Sequence, residues 1–376
     1  MSDNKVNSNI VIPGELLPRD GRFGSGPSKV RKEAVEALAS HWQDYLGTSH
    51  RQKTVKSVVG SLRRGVSELF SLPEGYEVVL ANGGASYFWD TAVFSLIERK
   101  SQHLSFGEFS SKFAASAKKA PFIEDPQIIL SEPGTHPLPV ASDEIDVYAL
   151  THNETSTGVA MEIRRPQGAS GLVAVDATSG AGGLMVDPAQ FDCYYFSPQK
   201  AFSSDGGLWL AAMSPAALER ARSIAASGRY IPPALDLVTA IDNSLLDQTY
   251  NTPALATIFL MNEQVNWMLA NGGLAFTAGR SERSSSAIYA WAESSKFATP
   301  FVKDPAMRSK VVATIDFSDD IDAKVVASTL RSNGIVDTEP YRKLGRNQLR
   351  IAVFPSVDPE DVEKLLAAVD YVVERL

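Results

Sequence analysis

Cysteine is almost missing from this chain. Of 376 residues one is cysteine, Cys193, which excludes an intramolecular disulfide and fits a reducing compartment. It lies inside an apolar run, so a buried structural thiol is expected rather than a sulfur nucleophile. Histidine is scarce too: there are five, none at metal-ligand spacing, and no metal site is expected. Basic charge is not in excess, since 36 Lys and Arg face 44 Asp and Glu for a net charge of −8. That balance argues against a broad nucleic-acid surface but leaves room for a local basic pocket. No uninterrupted apolar stretch approaches membrane-spanning length. The polar start Met1-Ser2-Asp3-Asn4-Lys5 lacks the apolar core of a signal peptide. A cytoplasmic protein engaging neither membrane nor nucleic acid is expected.

What is present is ordinary globular material, 44% hydrophobic and 21% charged, long enough for two domains. Residues 1–20, with Pro13 and Pro18 and no helical period, predict an extended arm. From about 50 to 265, strand-like and helix-like segments alternate, the signature of a largely parallel sheet covered by helices. Glu77–Leu80 predicts a strand, followed by Asn82-Gly83-Gly84-Ala85-Ser86 and a helical pattern through Arg99. Thr252-Pro253 predicts the start of a long helix, capped by Asn251 or Thr252 and stopped at Asn271-Gly272-Gly273. Residues 21–270 would then form a large domain and 271–376 a smaller α/β domain. The latter has strands at Val311–Phe317 and Gln348–Phe354, a helix ending at Asn333-Gly334, and a last helix opened by Asp358-Pro359-Glu360-Asp361.

Three apolar runs end in polar groups. Ile145–Leu150 leads into Asn153-Glu154-Thr155, Leu172–Val175 into Asp176, and the run ending at Phe196 into Ser197-Pro198-Gln199-Lys200. Open α/β sheets bind ligands beyond the carboxyl ends of their strands. A Thr, an Asp and a Lys placed so are what pyridoxal 5'-phosphate requires: the Lys forms a Schiff base, and the Asp pairs with the ring nitrogen. Any one of the three alone is as consistent with a solvated surface group. Gly83-Gly84-Ala85-Ser86 between strand and helix suits an anion at a helix N-terminus, or else is an ordinary tight turn. Ser49-His50-Arg51, and a segment with Arg342, Lys343, Arg346 and Arg350 and no acid before Asp358, are candidate anchors for an anionic substrate. The alternative is a solvated basic face.

Taken together these motifs resemble the class V aminotransferases of fold-type I, and within them the actinobacterial form of the phosphoserine aminotransferase family. The resemblance is carried by Phe23-Gly24-Ser25-Gly26-Pro27, Ser49-His50-Arg51, Gly83-Gly84-Ala85-Ser86, Asn153-Glu154-Thr155 and Asp176. Ser197-Pro198-Gln199-Lys200, Tyr250-Asn251-Thr252-Pro253 and Arg350 extend it over nearly the whole chain. It implies the fold-type I architecture, a mostly parallel central sheet covered by helices plus a smaller C-terminal α/β domain. It also implies that Lys200 carries pyridoxal 5'-phosphate, Asp176 holds the ring nitrogen, Thr155 contacts the ring hydroxyl and Phe109 stacks on the ring. Ala85, Ser86 and Gln199 would hold the cofactor phosphate, with Asn251 and Thr252 reaching across from the second subunit of a homodimer with shared sites. His50, Arg51, Arg342 and Arg350 would hold the substrate's anionic groups.

The implied reaction is amino transfer between L-glutamate and 3-phosphohydroxypyruvate, giving O-phospho-L-serine and 2-oxoglutarate in serine biosynthesis. Related enzymes also process 4-phosphohydroxythreonine in vitamin B6 synthesis. Two departures from the family pattern stand out. Gly-Gly-Ala-Ser replaces Gly-Gly-Gly-Arg at 83–86, and no Gly-His-Arg precedes the last strand, where Tyr341-Arg342-Lys343 lies instead. Rival readings are another class V enzyme, such as an alanine–glyoxylate aminotransferase or a desulfurase, and a non-catalytic protein that binds a phosphorylated metabolite.

Overall fold

A computed structural model describes residues 10–376; the first nine residues of the expected N-terminal arm lie outside the described residues. In chain order the strands are β1 Glu77–Asn82, β2 Ser101–Ser105, β3 Gln127–Leu130, β4 Val147–Thr151, β5 Asn153–Glu154, β6 Val159–Ala160, β7 Leu172–Asp176, β8 Cys193–Phe196, β9 Leu208–Met213, β10 Ala298–Pro300, β11 Val312–Phe317 and β12 Gln348–Ala352. The α-helices are α1 Lys32–Ser40, α2 Lys53–Leu69, α3 Ala85–Ser95, α4 Glu108–Lys119, α5 Pro215–Ala226, α6 Leu237–Leu245, α7 Leu255–Ala270, α8 Gly273–Ser294, α9 Ala323–Ser332 and α10 Pro359–Val373.

Seven strands form the main sheet in the order β1-β9-β8-β7-β4-β2-β3. From β8 outward to β3 the pairs are parallel, and β9 runs antiparallel to both its neighbours. The mostly parallel sheet is therefore as expected. β7, β8 and β9 are buried along their whole length, which explains why they read as continuous apolar runs: both faces are covered by helices. The alternation of a strand still sorts their side chains. Val173, Val175, Tyr194 and Phe196 join one core with α2 and α7. Ala174, Cys193, Tyr195 and Trp209 join another with α3, α4, α5 and α6. Asp176 follows Val175 and so falls on the α3 side.

A second, three-stranded antiparallel sheet, β10-β11-β12, has its own core with α8, α9 and α10. Ile12 and Phe23 from the N-terminal segment are buried in it. Two expectations shift. Asn271-Gly272-Gly273 does not end the helical stretch. Gly272 (φ 114°) and Gly273 (φ 66°) make a left-handed corner, a conformation that glycine reaches without penalty. The 22-residue α8 begins at once. The long helix also starts three residues later than Thr252: Ala254 is its N-cap and no side chain caps it.

Candidate active site

β4, β7 and β8 are adjacent, and their carboxyl ends place Thr155, Asp176 and Lys200 at one edge of the main sheet. β1 runs the same way and delivers Gly83-Gly84 and the N-terminus of α3 to that edge. Ala85, Ser86, Phe109, Thr155, Asp176, Gln199 and Lys200 line one cavity there, together with Trp89, Asn153, Thr178 and Ser179. Its volume of about 170 Å³ is an order of magnitude above what one water needs, so it suits a small molecule.

The Lys200 amine lies against the Ser25 carbonyl and donates to it. Ser28 holds the loop from the same side: its amide donates to Gln199 O at 3.0 Å and its hydroxyl to Lys200 O. A side chain at Gly26 would collide with the amine, so the glycine there is a matter of space. Burial, with Arg350 adding to it, pushes the Lys200 pKa down to about 8 against the pull of Asp176 and Glu154.

Asp176 is buried. Thr178 N donates to Oδ1 at 3.0 Å and the Trp89 indole N–H to Oδ2 at 2.9 Å. Burial pushes its carboxyl pKa up, and those hydrogen bonds oppose the shift. Glu154, also buried, accepts from the Phe109 and Ser110 amides at 3.1 and 2.9 Å and the Ser110 hydroxyl at 3.0 Å. The Ser156 amide and hydroxyl reach its other oxygen at 3.2 and 2.7 Å. It thus fixes the first turn of α4, a favourable place for a carboxylate, and with it Phe109. Gly107 packs so closely on Glu154 that a Cβ would sit 2.3 Å from Glu154 Cγ.

The phosphate side differs in detail from a bare helix N-terminus. The Ala85 amide already donates to Ser197 Oγ at 2.7 Å, and no bond within the chain engages the exposed Ser86. Gln199 Oε1 is buried without a partner, as are Asn153 Oδ1 and Thr178 Oγ1. Buried polar atoms are normally satisfied, so three such atoms around one cavity call for a polar ligand.

The candidate anion anchors fall in two groups. Arg342 and Arg350 line a neighbouring cleft with Ser25, Gly26, Tyr341 and Lys343. Arg350 spans both spaces: one guanidinium N–H reaches Thr155 O at 3.4 Å, its plane lies 5.3 Å from the Tyr341 ring, and its Nε has no partner. His50, Arg51, Asn251 and Thr252 do not line the Lys200 cavity of their own chain. His50 is buried, with Nδ1 3.3 Å from Thr252 Oγ1 and Nε2 unpartnered, and Asn82 Nδ2 donates to Thr252 O at 3.1 Å. Arg51, Asn251 and Thr252 are exposed.

The family model for Aminotransferase class-V matches residues 22–338. The chain belongs to the class V aminotransferases. A putative phosphoserine aminotransferase of Mycobacterium leprae (strain TN) is 59% identical over 374 residues, covering 99% of this chain and 100% of that protein. A phosphoserine aminotransferase of Nocardioides sp. is 61% identical over 370 residues, covering 98% and 99%. The solved phosphoserine aminotransferase of Cytophaga hutchinsonii superposes with a TM-score of 0.85 at 24% identity, over 93% of this chain and 99% of that one. The shared fold is that of fold-type I pyridoxal phosphate enzymes.

The cavity of this class V aminotransferase fits the family's cofactor on its own chemistry. It offers an amine with a lowered pKa, a buried carboxylate, an aromatic face and unpartnered polar atoms. Among the described residues no cluster of His, Cys, Asp and Glu could hold a metal, and no helix is long and apolar enough to cross a membrane. Trp89, Ser179 and Ser25 were not foreseen at the site. Trp89 had a signal: it lies four residues after Ala85, on the same face of a helix whose start was expected to meet the ligand. Ser25 is brought in by long-range packing that no local pattern announces.

Proposed function

We propose that this enzyme transfers the amino group of L-glutamate to 3-phosphohydroxypyruvate, giving O-phospho-L-serine and 2-oxoglutarate, as the names of its relatives at about 60% identity imply. The observation that carries the reading is the single cavity shared by Lys200 and Asp176, with Arg350 at its edge.

Pyridoxal phosphate, when bound, supplies a carbon that accepts the amino group and a ring that draws electrons from the substrate's α-carbon. Lys200 would hold it covalently, with Asp176 at the ring nitrogen, Thr155 at the ring hydroxyl, Phe109 on the ring face, and Ala85, Ser86 and Gln199 at the phosphate. The Lys200 amine, part neutral at physiological pH because of its lowered pKa, takes the proton from the substrate's α-carbon. Asp176, held by Thr178 and Trp89, presents its charge where the ring nitrogen lies. Arg350 meets the α-carboxylate with a fixed planar donor set, and Phe109 and Tyr341 exclude water over the reacting carbon.

Both substrates carry a second anion at the far end, a γ-carboxylate or a phosphate, which one arginine cannot also reach. Arg342 serves that end from its own chain. His50 and Arg51 serve it from the partner, with Asn251 and Thr252, in a cytoplasmic homodimer that shares its sites. The exposed Tyr250–Thr252 loop and the unpartnered His50 Nε2 support this sharing. Residues 21–270 act as the cofactor-holding domain and 271–376 as the smaller one, and the site also takes 4-phosphohydroxythreonine.

The test is a half-reaction screen of amino donors and keto acids, followed through cofactor absorbance at roughly 400–430 nm. 3-Phosphohydroxypyruvate should exceed hydroxypyruvate in kcat/KM by tens-fold or more. Equal values would move the assignment to a general class V aminotransferase, and a protein unable to take up the cofactor would end it.

A further inference from the structure

Trp89 has no part in the chemistry just described, yet it is buried and one of its atoms touches the residue on which that chemistry depends. Its helix, α3, crosses the face of the main sheet onto which Asp176 projects. The indole ring is 6% exposed and stacks on Phe113 from α4, 6.4 Å between centroids and 15° between planes. Its single N–H donates to Asp176 Oδ2 at 2.9 Å. A tryptophan N–H can only donate, so this contact requires an acceptor oxygen, which the ionised form of Asp176 always presents.

The other oxygen of Asp176 is fixed by the Thr178 amide. Tyr195, the register partner of Asp176 across β7 and β8, has a buried hydroxyl without a partner, so it does not hold the carboxylate. The carboxylate is thus tied once at each oxygen, by one backbone amide and one indole. The backbone donor is present in any sequence that keeps the turn; the indole donor depends on the identity of residue 89.

We infer that Trp89 is a positioning residue for the reaction: its indole N–H sets the direction and the ionised state of the Asp176 carboxylate that faces the cofactor ring. The inference rests on the assignment of Asp176 as the ring-nitrogen partner. The indole also lines the cavity, so a direct contact with the cofactor is the competing role, and the two differ in whether the effect passes through Asp176.

The experiment is a double-mutant cycle read in the affinity of the apoprotein for pyridoxal phosphate, by equilibrium dialysis, with steady-state kinetics alongside. Trp89→Phe keeps an aromatic ring against Phe113 and removes the donor. Loss of a hydrogen bond to a charged group corresponds to roughly ten- to a hundredfold. Cofactor affinity should fall by about that factor, and kcat should fall while KM for both substrates stays within about twofold. In an Asp176→Ala background the same change should have no further effect on affinity. If Trp89→Phe lowers the melting temperature of the apoprotein, benzothienylalanine at position 89, which keeps the bicyclic shape without the N–H, separates packing from hydrogen bonding and should reproduce the loss.

A Trp89→Phe enzyme with unchanged affinity and kcat overturns the inference. So does an effect that persists undiminished without the Asp176 carboxylate. If Asp176→Ala itself leaves affinity and kcat intact, it is the ring-partner assignment that fails.

Discussion

On the floor of the cavity, Asp176 and Glu154 are buried carboxylates whose every oxygen is tied to a named donor on a neighbouring element. At the rim, Arg342 and Lys343 are exposed, and Lys343 is held by an ion pair with Glu108, itself paired with Lys112. The floor is positioned by the fold, through strand ends and a helix N-terminus that cannot shift without disturbing the core. The rim is positioned by charge, on a short turn joined to β12. A site divided in this way can keep its chemistry while its choice of substrate drifts. That accords with a phosphate cup that carries Ser86 in a family whose widespread pattern has an arginine there.

The comparison breaks most completely at Lys200. Lys200→Ala should lower kcat by roughly four orders of magnitude or more, as loss of a covalent catalytic group does. After borohydride reduction of the unaltered enzyme, mass spectrometry should find the cofactor on Lys200; an adduct on another lysine would remove it from the floor. Arg350→Gln, at the boundary of floor and rim, should cost about tens- to thousands-fold in kcat/KM for both substrates while cofactor affinity is unchanged. A loss of cofactor binding instead would make Arg350 part of the floor.

Glu154→Gln probes the floor without touching the reacting groups. An amide nitrogen cannot accept the amide and hydroxyl donors that meet one carboxylate oxygen, so about 1–3 kcal/mol of stability should be lost. Urea unfolding midpoints measure it, and an unchanged midpoint would show that the first turn of α4 is held by other means. The pH dependence of cofactor uptake by the apoprotein is a finer test. Attack requires neutral Lys200, so uptake should rise about tenfold per pH unit and level off above about pH 8. An ordinary lysine would keep rising toward about pH 10.4. The smallest effect is expected at the rim: Lys343→Gln should raise KM for the phosphorylated substrate by only about two- to threefold, and added salt should erase the difference.

The floor was largely legible in the sequence because its logic is local. Strands buried on both faces appear as apolar runs, and the polar residue that ends each run marks the sheet edge where Thr155, Asp176 and Lys200 meet. The rim was legible only as a concentration of charge. Arg346 looked like an anchor, but it pairs with Asp316 on β11, thirty residues earlier, and the pairing of β11 with β12 that brings them together cannot be read from spacing. Gly272-Gly273 had the chemistry of a stop, and only packing against α10 explains why a helix resumes immediately. Trp89 was visible at helical spacing, yet its partner is set by which face of β7 carries Asp176, a matter of register.

The segment at 21–28 links the two regions mechanically. Gly21 O accepts from Val336 N, and Phe23 is bonded to Val336 O and to Ala352 N of β12, while Ser25 and Ser28 are bonded to Lys200. From Phe23 to Ser25 the chain can reach only about 7 Å. The three-stranded sheet and the reactive lysine are therefore on a leash too short to go slack. Any rotation of that sheet that moves Arg350 also pulls on the carbonyl against which the lysine amine rests, so gripping the substrate and freeing the lysine become one motion.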